Sequence, residues 1–111
     1  MNAQELYALD SLLNAQHKII LLSPSSLYRF YPNKNLFKAA SFSLKINDVI
    51  DVNELVNKLT RCGYLKVNKI DQSLQFAKRG DIVDVFPINS KNPIRIEFFD
   101  DEIESIRYFN P

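Results

Sequence analysis

The chain has 111 residues, of which 46% are hydrophobic and 24% are charged, and its formal net charge is +1. This length and composition predict one compact domain with a small core, or one domain plus a fragment of a neighbour, and the near-zero charge argues against nucleic-acid binding. Cys62 is the only cysteine, no apolar run is long enough to cross a bilayer, and a secretory signal is missing, so we expect a soluble, cytoplasmic protein.

The first 41 residues predict a helix, a short strand and a second short helix. Residues 3–14 place leucines at helical spacing, residues 18–22 form a short apolar run, and a helix over 27–31 ends before a proline. This order is typical of an α/β unit, but forty residues are too few to complete one. We therefore expect this N-terminal part to be a remnant of a larger neighbouring domain.

The remaining residues predict an α+β fold. Residues 41–46 alternate apolar and polar side chains, which indicates a half-buried strand. A helix follows, because Asp51 can cap its start, Glu54 is spaced as in a capping box, and Gly63 can end it. The rest is strand-like, with strands predicted at 64–68, 74–79, 82–86, 93–99 and 102–109. Short connections favour antiparallel neighbours, so we expect a meander sheet with the helix covering one face.

The strand predicted at 93–99 carries a large aromatic side chain on its polar face. Alternation places Arg95, Glu97 and Phe99 on the side away from the core. Arg95 and Phe99 would be about 13 Å apart by strand rise, and both residue types are enriched at binding hot spots. One exposed phenylalanine is also common on ordinary surface. The pair therefore indicates a candidate protein-binding patch, which Arg79 at the preceding hairpin could join.

Other candidate sites in the sequence have simpler explanations. The Arg-Gly-Asp tripeptide at 79–81 resembles an adhesion motif, but it lies between two strands and predicts a tight turn. The acidic residues at 100–104 have no histidine nearby and follow a turn rather than a metal-ligand loop. His17 is solitary, and two glycines cannot build a phosphate-binding loop. We expect no catalytic, cofactor or metal site in this chain.

Three separated blocks, 61–64, 76–87 and 93–107, resemble a known family. Their order, spacing and identities are similar to those of the bacterial transcription-repair coupling factors (Mfd), in the N-terminal UvrB-like region. The resemblance implies that 1–41 ends a UvrB-like α/β domain and that 42–111 is a UvrB-like domain that binds the repair protein UvrA. UvrB itself is the nearest alternative, but Asp100 stands where UvrB typically has a glycine.

The resemblance also implies roles for particular residues. The positions through which the family contacts UvrA fall on Arg79, Arg95 and Phe99. The intact proteins use ATP and Mg²⁺ to translocate on DNA and displace stalled RNA polymerase, through domains outside this chain, and another domain masks the UvrA-binding surface. We therefore expect a non-enzymatic module that recruits UvrA in transcription-coupled nucleotide excision repair. The alternatives are the equivalent domain of UvrB or a nucleic-acid-binding module.

Overall fold

The computed structural model describes residues 18–21, 42–88 and 90–110. The helices predicted at 3–14 and 27–31 lie outside these residues. The elements are β1 (Lys18–Leu21), β2 (Phe42–Lys45), α1 (Val52–Arg61), β3 (Leu65–Lys66), β4 (Gln75–Arg79), β5 (Ile82–Val85), β6 (Ile94–Phe99) and β7 (Glu102–Tyr108). No helix in these ranges is long and apolar enough to cross a membrane. The predicted α+β fold class is confirmed.

The main sheet has five strands in the order β3, β4, β5, β6, β7. The predicted antiparallel meander is confirmed from β4 to β7. It was wrong for β3, which pairs with β4 in parallel. β3 has only two residues. The connection 67–74 can therefore bring the chain back to the end of the sheet at which β3 began, so that β4 runs in the same direction as β3. Backbone bonds from Leu65 to Leu74 and from Val67 to Phe76, both 2.8 Å, hold that return.

A second, two-stranded sheet joins β1 to β2 in antiparallel register, with Leu21 opposite Phe42. These strands come from the two sides of the predicted boundary between 1–41 and 42–111. The division into two domains stays a prediction.

The helix α1 begins and ends where local chemistry predicts. The Asp51 carboxylate accepts a 2.7 Å hydrogen bond from the Asn53 amide and so satisfies one of the free donors at the helix start. Gly63 follows the C-cap residue, Cys62, with φ of 93°, a conformation that glycine adopts at little cost. Leu55 and Leu59 are fully buried. The helix therefore covers one face of the main sheet, as predicted.

The core joins the buried side of α1 to one face of the main sheet, called the inner face below, and to buried residues of β1 and β2. Its fully buried side chains include Phe76, Val83, Val85 and Ile96. Burying an aliphatic or aromatic side chain of this size contributes about 1.5–3 kcal/mol, so this contact accounts for much of the stability of the domain. The opposite face of the sheet, called the outer face below, carries mostly polar side chains and is partly covered, since Asp84 on it is buried.

A β-bulge separates the two ends of the β6–β7 pair. Glu97 is opposite Ser105, whereas Phe98 is opposite Ile103, so β7 has one extra residue between these pairs. The bulge lets Ile103 and Ile106 both be buried although they are three positions apart. Beyond it, segment 47–50 extends the edge of the sheet, with the Asn47 amide donating to Ile103 at 2.8 Å.

Candidate protein-binding site

Cross-strand pairing arranges the side chains of the outer face in three rows, because residues directly opposite each other lie on the same side of a sheet. The first row is Ala77, Asp84, Arg95 and Arg107; the second is Arg79, Ile82, Glu97 and Ser105; the third is Phe99, Glu102 and Val49. Arg95, Arg79 and Phe99 therefore lie on one face, in three successive rows.

Arg95 is held by two neighbours within the chain. Its Nε donates to Oδ1 of Asp84 at 2.8 Å and its Nη2 donates to Oδ2 at 3.1 Å. Its Cζ also lies 4.7 Å from the centroid of the Phe109 ring. The hydrogen bonds to Asp84 raise the pKa of Arg95, against a smaller opposing effect of burial. The Arg95 side chain is still 40% exposed, so it can meet a partner without leaving this arrangement.

Asp84 and Phe109 are not among the site residues that the sequence pattern predicts. Asp84 did give a signal, since a carboxylate stands between Val83 and Val85 in a buried strand, where a charge requires a partner. Only the register of β5 against β6 shows that this partner is Arg95.

Arg79 is the last residue of β4 and is exposed. Within the described residues, no hydrogen bond or ion pair involves its side chain, so its charge is available to a partner. The predicted tight turn at 79–81 is confirmed, with Gly80 at φ of 56°. The carbonyl of Asp81 accepts a 2.9 Å bond from the Phe98 amide, which fixes the turn against β6.

Arg79 and Arg95 line one open cavity of about 300 Å³. Asp84 and Phe109 line it too, and Lys69 and Asn110 are among the remaining lining residues. Three cationic residues, at positions 69, 79 and 95, and one carboxylate line the cavity, so positive charge is in excess. A cavity of this charge suits an acidic side chain of a partner protein.

Phe99 lies apart from the cavity on the same face. It is the last residue of β6 and is 69% exposed. Glu97 occupies the row between Arg95 and Phe99. The structure therefore brings Arg79 and Arg95 together at the cavity and leaves Phe99 as a separate apolar contact point. Aromatic residues and arginines are both enriched at protein-binding surfaces.

Other candidate groups do not form a site in the described part of the chain. None of its residues form a group of three or more His, Cys, Asp or Glu side chains that could hold a metal ion. Cys62 is buried in the core beside α1. His17 lies outside the described ranges.

The chain is similar in sequence to a known protein family and to several known proteins. A family model described as the UvrB interaction domain matches residues 42–111. The transcription-repair-coupling factor of Bacillus subtilis (strain 168) is 31% identical over 110 residues, 99% of this chain. Those of Staphylococcus aureus (strain bovine RF122 / ET3-1) and Staphylococcus haemolyticus (strain JCSC1435) are each 30% identical over 108 residues, 97% of this chain. The chain spans 9% of the length of each of these relatives.

Proposed function

The chain belongs to the UvrB interaction domain family, and from this we propose that it is a non-catalytic module of a transcription-repair coupling factor that docks UvrA. It recruits UvrA in transcription-coupled nucleotide excision repair in the bacterial cytoplasm. The relatives named above favour a coupling factor over UvrB as the parent protein. The parent is an ATP- and Mg²⁺-dependent DNA translocase that contacts DNA and RNA polymerase, and masks the UvrA surface, through domains outside this chain.

The observation that carries the proposal is the shared outer face of Arg79, Arg95 and Phe99. The two arginines present positive charge at one cavity, where they bind carboxylates of UvrA. Phe99 supplies apolar area that becomes buried on docking. Truncating a central anchor of this kind typically costs about 2 kcal/mol or more of binding free energy.

The experiment is a calorimetric titration of the chain with purified UvrA. Arg79→Ala, Arg95→Ala and Phe99→Ala are compared with the wild type, and the folding of each variant is checked by circular dichroism. We expect each variant to bind more weakly than the wild type. If all three variants are folded and bind UvrA with wild-type affinity, this surface is not the UvrA-binding site. A gel shift with duplex DNA tests the nucleic-acid alternative, which requires tight, salt-sensitive binding.

A further inference from the structure

We infer that Asp84 and Phe109 are positioning residues for partner binding. They hold the Arg95 guanidinium in the orientation in which it meets a carboxylate of the partner, and their effect on affinity acts through Arg95. This inference rests on the proposed function. It adds two residues to the site and gives the Asp84–Arg95 pair a role beyond stability.

Asp84 fixes the direction of the guanidinium within its own plane. The two hydrogen bonds, at 2.8 and 3.1 Å, form the side-by-side pair that makes an arginine–carboxylate contact directional. The order of the row favours this pairing, because Arg95 lies between Asp84 on β5 and a second arginine, Arg107, on β7. Attraction to the Asp84 carboxylate and repulsion from the Arg107 charge both direct the Arg95 side chain towards Asp84.

Phe109 restrains the tilt of the guanidinium plane. The Arg95 Cζ lies 4.7 Å from the ring centroid, within the range of a cation–π contact. The Phe109 amide donates to the Pro93 carbonyl at 3.0 Å, which anchors the ring beside the start of β6. A guanidinium stacked on a ring and paired along one edge has little freedom left.

The arrangement still leaves Arg95 able to bind. A guanidinium carries five N–H groups, and Asp84 uses two of them, so three remain for another acceptor. An arginine that is already ordered loses less conformational entropy when a partner binds. Asp84 could instead compete with the partner for Arg95. Its side chain is only 10% exposed, however, and Arg79 adds a second arginine to the lining of the cavity, which favours positioning over competition.

The test is a thermodynamic cycle on UvrA affinity. The wild type is titrated with UvrA alongside Asp84→Ala, Arg95→Ala and the double variant. We expect Asp84→Ala to weaken binding about 2- to 10-fold in the wild-type background, the effect of losing one ordered side chain. In the Arg95→Ala background we expect no further loss, because Asp84 then has no arginine to position. Phe109→Leu should behave like Asp84→Ala, with a smaller effect.

A second measurement does not need UvrA. The NMR order parameter of the Arg95 Nε–Hε group reports how far the guanidinium is fixed, and it should fall in Asp84→Asn and in Phe109→Leu. Asp84→Asn keeps the shape of the side chain and one acceptor, so it serves if Asp84→Ala does not fold. We expect its affinity to lie between those of the wild type and Asp84→Ala.

Three results would overturn the inference while leaving the proposed function intact. The first is that Asp84→Ala binds UvrA as tightly as the wild type, or more tightly, while Arg95→Ala binds weakly. The second is that Asp84→Ala causes the same loss of affinity in the wild-type and Arg95→Ala backgrounds. The third is that the Arg95 order parameter is unchanged in Asp84→Asn. Failure of the proposed function gives a different result: the wild-type chain does not bind UvrA at all, although its Arg95 is ordered. The inference would then fail together with the proposed function.

Discussion

Phe99 and Val49 lie on the same face of the sheet, one on each side of Glu102. These residues are 69% and 72% exposed, respectively. Val49 reaches this position because segment 47–50 bonds to the edge of β7 and to the turn before it, where the Ile50 amide donates to the Asp101 carbonyl at 2.7 Å. The apolar end of the outer face is therefore wider than Phe99 alone, and it is interrupted by one carboxylate.

This relationship predicts unequal effects on UvrA binding. Phe99→Ala should weaken binding by about 2 kcal/mol or more, as expected for a central aromatic anchor. Val49→Ala removes much less apolar area and should cost no more than about 1 kcal/mol. Both side chains are exposed in the free chain, so stability should change by less than about 0.5 kcal/mol. Calorimetric titration and urea unfolding measure the two effects.

Leu65→Ala is the matched control. Leu65 is also an exposed apolar residue, at 63%, but it lies on β3 at the opposite edge of the sheet. Its truncation should leave UvrA affinity unchanged. Equal losses in Leu65→Ala and Phe99→Ala would show that the effect is one of general surface hydrophobicity and not of this contact.

Removal of the Arg79 charge should slow association with UvrA. Arg79 is exposed and lines the cationic cavity, so its charge contributes to attraction before contact. Arg79→Ala should lower the association rate and flatten its dependence on salt, with little change in stability. Stopped-flow mixing at several salt concentrations measures both quantities.

Lys78→Ala provides the control for net charge. Lys78 is the adjacent exposed cation on β4, and it is opposite Val83 on the inner face of the sheet. The two variants therefore lose the same charge from opposite faces. If Lys78→Ala slows association as much as Arg79→Ala does, the overall charge of the chain governs association and the outer face has no special part in it.

Arg95→Ala should destabilise the free chain as well as weaken binding. The variant leaves the largely buried Asp84 carboxylate without its two charged hydrogen bonds. Loss of such bonds costs about 1–2 kcal/mol here, since the exposure of the Arg95 side chain reduces the penalty expected for a fully buried pair. Urea unfolding measures it, and adding Asp84→Ala should recover part of the loss. An Arg95→Ala chain as stable as the wild type would mean that the pair contributes nothing to folding.

The sequence predicts the elements of this fold better than it predicts their pairing. The bounds of α1 follow from Asp51 and Gly63, and the outward direction of Phe99 follows from alternation along one strand, because both are local properties. The parallel pairing of β3, the bulge opposite Glu97 and the place of Val49 depend on contacts between distant segments. The pairing of Arg95 with Asp84 also depends on contacts between distant segments. A shift of one residue in the register of β5 against β6 would place a different residue opposite Arg95.

The last prediction concerns the alkaline limit of stability and rests on Tyr64. This residue is buried in the core, and its hydroxyl accepts a 3.3 Å hydrogen bond from the Ile88 amide. Burial raises the pKa of Tyr64 above the ordinary value of 10.0, against a smaller lowering by the Ile88 bond. The folded state therefore holds the phenolic proton more tightly than the unfolded state does. This contribution is complete below the unfolded-state pKa and is lost as pH rises through the folded-state pKa.

Tyr64→Phe isolates the effect. At neutral pH the variant should be less stable by about 1 kcal/mol, because the Ile88 amide loses its acceptor. From about pH 10 upwards the wild type should lose stability faster than the variant, so the two free energies of unfolding converge. Urea unfolding at about pH 8 and about pH 11 measures the difference. Parallel pH profiles for the two chains would mean that Tyr64 does not ionise with a raised pKa in the folded state.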